Sequence, residues 1–347
     1  MALATSYDLG DRPSERGARE SLDNTLRRTA VEQTPMFSLL PRGPKANAMF
    51  TEWLVDDLSA PSFPGVIDGK PLAFATDFKD KTTDRARLGN RIQQLQREFA
   101  VSPQAQAVSV AGPNDLYGAS KARCLIELKR DIEALICSDT DIAVGSSTAG
   151  DKLGALGKWT DPANTSLYGG STGTPPGHKY RSATGTRITH GTSMTESAFR
   201  DLLQKVYENH GNAVSYRLVA GPSVVNSISG FTRLNVATTN GNPAYQLTQN
   251  VGDGVLRLSV QEYISDWGRV FIVPSLLNGF TSGGTLGASQ RTRGYLIPGD
   301  GFVQLRYLED IKTMDLEDVD GGGKRGLCRA MVTITPTAGG KPLGSIV

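Results

Sequence analysis

Between residues 114 and 138 the apolar positions Leu125, Leu128, Ile132, Leu135 and Ile136 recur three or four apart, so they share one face of a helix. Asn114 is the expected N-cap. Arg123 with Glu127, and Lys129 with Glu133, are spaced for i,i+4 ion pairs on the wetter side. At 1.5 Å per residue such a helix would run about 35 Å. A second helix is predicted from Ser193, whose spacing to Glu196 makes a capping box. Phe199, Leu202, Leu203, Val206 and Tyr207 carry its apolar face, and Gly211 ends it. Pro222 to Phe231 reads as a short third helix with proline in its first turn.

Strands are predicted where the period falls to two or where short apolar runs are β-branched: Tyr216 to Ala220, Leu256 to Gln261, Val270 to Val273, Phe302 to Tyr307 and Arg329 to Thr335. Earlier in the chain, Asn47 to Asp57 and Thr82 to Ile92 read as two extended arms. The stretch between them contains Pro61, Pro64, Gly65, Gly69 and Pro71, which cannot continue a ladder. The arms hold too few core-facing residues to form a domain, so a long projecting hairpin is expected, and such hairpins invite partners. Residues 1–34 are charged in both signs and lack an apolar stripe, as in a tail or an arm that orders on a partner. The Gly- and Ser-rich stretch 145–192 reads as a long irregular connection anchored by Trp159 and Tyr168.

The 347 residues are 38% hydrophobic and 21% charged, enough for a substantial core and inconsistent with disorder throughout. Lys and Arg total 37 against 35 Asp and Glu, and this near balance argues against a dedicated nucleic-acid binder. No apolar window reaches the roughly 18 to 20 residues of a membrane span, and the first residues do not read as a secretory leader, so a cytosolic site of synthesis and folding is expected. Cys124, Cys137 and Cys328 are odd in number and widely spaced, as expected of reduced thiols.

The motifs that carry chemistry fail on context. Gly169-Gly170-Ser171-Thr172-Gly173 matches the serine hydrolase pattern, but glycine, threonine and proline flank it where a buried strand and a helix are required. Gly145 to Gly150 has phosphate-loop spacing, yet Asp151 and Lys152 follow in place of Lys and then Ser or Thr. Asp315, Glu317, Asp318 and Asp320 do not have the spacing of a calcium loop. No Cys or His pair has zinc spacing, and no cofactor or metal is expected. The basic run Lys79, Lys81, Arg85, Arg87, Arg91 and Arg97 could face phosphates or a neighbouring subunit. A hydrolase using Ser171 and a DNA-binding protein using residues 79–97 therefore stand as alternatives from other functional classes. The latter predicts strong, salt-dependent binding to free duplex.

Several segments, in order along the chain, resemble the major capsid proteins of tailed bacteriophages with the Hong Kong 97-like fold. They are Thr34 to Leu40, the strand around Phe50 to Leu58 with Glu52-Trp53, Arg87 to Gln93, Phe99 to Ser102, Glu127 to Glu133, Tyr263 to Gly268 and Phe302 to Leu308. The resemblance implies an α+β fold with an N-terminal arm at 1–34 and an extended loop at 35–98. A peripheral domain would comprise 99–145 and 296–347 with a spine helix at 114–138, and an axial domain would span 146–295. It implies a non-enzymatic subunit that assembles with itself into pentamers and hexamers of an icosahedral shell around double-stranded DNA. A separate scaffolding protein, a portal, decoration proteins and non-specific contact with the packaged DNA go with that role, as does assembly in the bacterial host cytoplasm. Phe37, Trp53, Arg85, Arg87 and Arg91 are the expected intersubunit contacts, and Leu125, Leu128, Ile132 and Leu135 the expected core of the spine helix.

Overall fold

The last third of the chain alternates apolar and polar residues for longer than any other part, and it forms the longest strands. The computed structural model describes residues 33–61, 63, 65, 67–73, 85–108, 115–170, 175–191, 193–211, 215–231, 261–279, 288–299, 301–317 and 323–347. In chain order the first elements are α1 (Pro35–Leu39), β1 (Phe50–Val55), β2 (Ala86–Arg91), β3 (Gln93–Val101) and α2 (Pro103–Ala107). The long helix α3 (Leu116–Ile136) and the short α4 (Leu156–Trp159) come next. They are followed by β4 (Arg187–Ile188), α5 (Glu196–His210), β5 (Tyr216–Ala220), α6 (Pro222–Phe231), β6 (Glu262–Ser265) and β7 (Gly268–Pro274). Last are α7 (Ala288–Thr292), β8 (Gly294–Pro298), β9 (Val303–Leu316), β10 (Lys324–Pro336) and β11 (Gly344–Ile346).

The described residues form three sheets. β1 and β2 form an antiparallel hairpin, and β3, β10 and β9 an antiparallel three-stranded sheet with β10 central. The third sheet has six strands in the order β4-β11-β8-β5-β7-β6, with β5 and β7 parallel and β11 parallel to β4. The chain is thus α+β, as expected. β3 was not predicted, because Gln93 to Val101 carries mostly polar residues on an edge strand.

α3 packs across β3 and β10 and buries Cys124, Leu128, Ile132, Glu133 and Ile136. Leu128 and Ile132 are fully enclosed, while Leu125 and Leu135 lie half-buried at the margins. The helix is capped one residue later than predicted, by Asp115, whose carboxylate accepts from the Tyr117 backbone N–H at 3.0 Å; Asn114 lies outside the described residues. The Arg123–Glu127 pair forms at 2.8 Å, but Lys129 and Glu133 do not pair on a wet face. Glu133 is fully buried, because its position on the helix turns it toward α1.

α5 is capped by Thr195, whose hydroxyl accepts from the Ala198 N–H; the predicted Ser193–Glu196 box is not used, since Glu196 is itself the first helical residue. Gly211 closes that helix at φ +79°, a conformation a side chain would strain. α6 has its predicted bounds, whereas the strand predicted at 256–261 falls almost wholly outside the described residues.

Buried side chains gather in two clusters. One joins α1, the hairpin, α3, β9 and β10; the other joins α5, α6 and the six-stranded sheet. The stretch expected as a loose connection contributes Leu153, Leu156, Trp159, Leu167, Tyr168 and Tyr180 to the first cluster. Trp159 and Tyr168 are its predicted anchors and are both fully enclosed. The first cluster also takes in Val219, Tyr295 and Ile297 from the six-stranded sheet, so the two clusters adjoin across that sheet. Among the described residues, no helix is long and apolar enough to cross a membrane.

Candidate assembly surfaces

The hairpin is fixed at its root by three kinds of contact. Leu88 and Val55 enter the first cluster, and the Trp53 ring packs on Trp159 with centroids 5.8 Å apart. Trp159 in turn meets Tyr168 edge to face at 5.3 Å and donates its indole N–H to the Gly154 carbonyl. Asn90 is fully buried. Its amide donates to the Gly154 and Ile334 carbonyls at 3.0 and 2.9 Å and accepts from the Gly154 N–H at 2.8 Å, so it ties β2 to two distant segments. The third contact is ionic: Asp57, the first residue but one beyond β1, accepts from Lys341 at 2.9 Å and lies 3.6 Å from Lys179. The Lys341 ammonium holds its carboxyl below the usual range.

Immediately past that anchor the character of the surface changes. Leu58 is 91% exposed, Phe63 93%, Ile67 72% and Leu72 65%. Single exposed apolar residues are ordinary, but four large ones within fifteen positions of one segment make an unusually apolar stretch of surface.

Among the described residues, the arginine side chains of the hairpin and of β3 are paired with carboxylates. Arg85 pairs with Asp56 at 3.0 Å, Arg87 with Glu52, Arg91 with Asp151 at 2.9 Å and Arg97 with both carboxylate oxygens of Asp131. Asp131 raises the Arg97 pKa and fastens β3 to α3. Each of these four arginines is thus matched within the chain, so together they offer little net positive field. Lys79 and Lys81 lie outside the described residues. Asp151 also accepts from the Gly145 N–H at 2.9 Å, so that loop amide is already engaged by a carboxylate of the same chain.

Of the predicted contact residues, Trp53 and Arg91 are half-buried against their own chain, and Arg85 and Arg87 are exposed but paired. Phe37 packs against the first cluster. Its backbone N–H and that of Met36 donate to the two carboxylate oxygens of Glu133, at 2.6 and 2.9 Å. Glu133 therefore satisfies the free N–H groups at the start of α1 and holds the beginning of the described chain onto the middle of α3. Burial pushes its pKa up to about 7 against the opposing pull of those two hydrogen bonds. Nothing in the sequence singled it out, because a lone Glu at i+4 from Lys reads as a surface ion pair.

Ser171 lies outside the described residues. The histidines nearest it in the sequence are engaged: His178 Nε2 with the Gly170 carbonyl at 2.8 Å, and His190 Nε2 with the Ser227 hydroxyl at 3.1 Å. His210 packs edge to face on Phe302 at the end of α5. Among the described residues there is no group of three or more His, Cys, Asp or Glu arranged to hold a metal ion.

Solved phage shells share this architecture. The capsid of cyanophage A-1(L) aligns over 99% of both chains with a TM-score of 0.63 at 14% identity. The capsid of an empty GTA particle aligns over 99% of both with a TM-score of 0.57 at 13% identity. The mature capsid of bacteriophage PhiM1 covers 99% of this chain and 96% of its own at 0.56 and 10% identity. These likenesses place the chain in the Hong Kong 97-like capsid fold. No curated protein matches it in sequence. A family model described as SU10 major capsid protein matches residues 4–329, nearly the whole length, and by that match the chain belongs to the SU10 family of phage major capsid proteins, the subunits of virion shells.

Proposed function

We propose that this subunit closes its shell chiefly through the tip of the hairpin, which lays Leu58, Phe63, Ile67 and Leu72 on a neighbouring copy. The observation that carries this reading is the abrupt change at Asp57, from a side chain held by two lysines to a row of side chains that touch almost nothing. Burying four such residues on a neighbour would contribute roughly 6 to 10 kcal/mol before ordering costs. Repeated around rings of five and six, a head-to-tail contact of this kind closes into an icosahedral lattice. Residues 1–34 act as an arm on an adjacent subunit, with α1 and Glu133 as the fixed point from which the arm leaves.

The remainder of the role follows the family: the subunit encloses double-stranded DNA that it touches weakly and non-specifically, works with a separate scaffolding protein, a portal and decoration proteins, and assembles in the host cytoplasm. Neutralised arginines along the hairpin agree with weak DNA contact. The test is the double substitution Leu58→Ser with Phe63→Ser, followed by sedimentation and negative-stain microscopy with the scaffold present. A folded, soluble subunit that makes no regular shells is expected; normal particles would overturn the assignment of the tip. Deletion of residues 1–34 makes the same test of the arm.

A further inference from the structure

Two of the three cysteines meet inside the subunit. Cys124 lies on the face of α3 that covers β3 and β10, and its Sγ sits 3.4 Å from the carbonyl oxygen of Arg97. Arg97 is the residue of β3 directly paired with Cys328 of β10. Along β10 the even positions Gly326, Cys328, Ala330 and Val332 all point to the buried side. The two thiols consequently lie within hydrogen-bonding reach of each other, 204 positions apart in the chain and both shielded from solvent.

We propose that Cys124 and Cys328 are a modification site, an oxidation-dependent covalent staple between the long helix and the central strand of the three-stranded sheet. The oxidant is a peroxide, small enough to reach an enclosed pair. The Cys124 sulfur attacks one peroxide oxygen, the O–O bond breaks, and a sulfenic acid and water result. The Cys328 sulfur then attacks the Cys124 sulfur, the S–O bond breaks, and the hydroxyl leaves as a second water with the Cys328 proton. Two thiols lose two electrons and the peroxide gains them.

The surroundings set when this occurs. Burial pushes the Cys328 thiol up to about 12, and the neighbouring Cys124 adds to the rise. Lys121, one turn before Cys124 on the same helix, favours the thiolate, while Asp315, which Lys121 contacts at 3.1 Å, opposes it. The pair is therefore slow to react while the subunit stays closed and in a reducing compartment, and it reacts after exposure to oxidant. Cys137 is a built-in control. It is the C-cap of the same helix, fully buried, and about 20 Å along the axis from Cys124 at the rise of an α-helix.

The full chain under native conditions is treated with hydrogen peroxide, quenched, unfolded in iodoacetamide and mapped by mass spectrometry without reductant. The expected result is loss of two of the three alkylatable thiols, a linked peptide pair containing Cys124 and Cys328, alkylation at Cys137 alone, and full reversal by dithiothreitol. Three alkylated cysteines, sulfinic or sulfonic acid at Cys124 or Cys328 without a link, or a link that includes Cys137 would each overturn the proposal. Cys124→Ser and Cys328→Ser should each abolish the link. The mapping of the unaltered chain decides the matter should either variant fail to fold. Because the chemistry lies within one subunit, the result is independent of whether the hairpin tip builds the shell.

Discussion

The root and the tip of the hairpin belong to one short stretch of sequence and obey opposite rules. At the root the charged groups and the buried amide are paired: Asn90 bridges two segments, Arg85 and Arg87 face carboxylates, and Asp57 sits between two lysines. At the tip the large side chains are apolar and nearly fully exposed. The difference teaches that, under the proposed contact with a neighbouring copy, a segment can leave its apolar side chains exposed in the single chain provided its base is fixed well enough to present it. A rigid root lowers the ordering cost of each contact, and over a closed lattice that saving recurs at every copy. α1 is fixed in the same way: Glu133 pins its first turn to the long helix.

The largest effect on the root should come from Trp159→Ala. It removes a fully enclosed ring that carries Trp53, and should cost about 4 kcal/mol in urea-melt stability. If the loss is below 1 kcal/mol, the tryptophan stack does not hold the hairpin. Next is the pH dependence from Glu133. Its carboxyl moves from 4.5 to about 7 on burial, so the folded chain keeps the proton more tightly than the unfolded chain. The resulting penalty is absent below 4.5, grows between 4.5 and 7, and is complete above, amounting to roughly 3 kcal/mol. The stability difference between the parent chain and Glu133→Gln should therefore change across that window, read from melts at several pH values. A flat difference would mean that the carboxyl is not desolvated.

Asn90→Ala comes third. It removes the side-chain partner of the Gly154 N–H and of the Ile334 carbonyl and one of the two donors to the Gly154 carbonyl, at about 2 kcal/mol by the same melts. The smallest change in folding stability, within about 0.5 kcal/mol, is expected for Leu58→Ser with Phe63→Ser, since neither side chain is buried in the isolated subunit. That variant sharpens the comparison most, because its fold should survive while its shells do not. A large loss of stability would show that the tip folds back on its own chain.

Sequence periodicity by itself determined the helices α3, α5 and α6 and parts of β9 and β10, whose strands run on beyond the predicted Phe302–Tyr307 and Arg329–Thr335. Leu128 and Ile132 on α3, Phe199 to Val206 on α5 and the alternating residues of β9 and β10 declare their buried faces locally, because a helix or strand repeats its environment every few residues. The hairpin was legible too, from its proline- and glycine-rich interruption. What only the tertiary structure decided is who meets whom across long stretches of chain. Glu133 could be a surface ion or a buried cap until α1 arrived to supply two N–H groups. Residues 153–180 had no period to announce them and still entered the core through Trp159 and Tyr168. Cys124 and Cys328 became a pair only when β10 was threaded beneath α3. Local patterns carry information about a residue's own element, whereas buried polar partners and side-chain neighbours depend on contacts between elements that no short window of sequence contains.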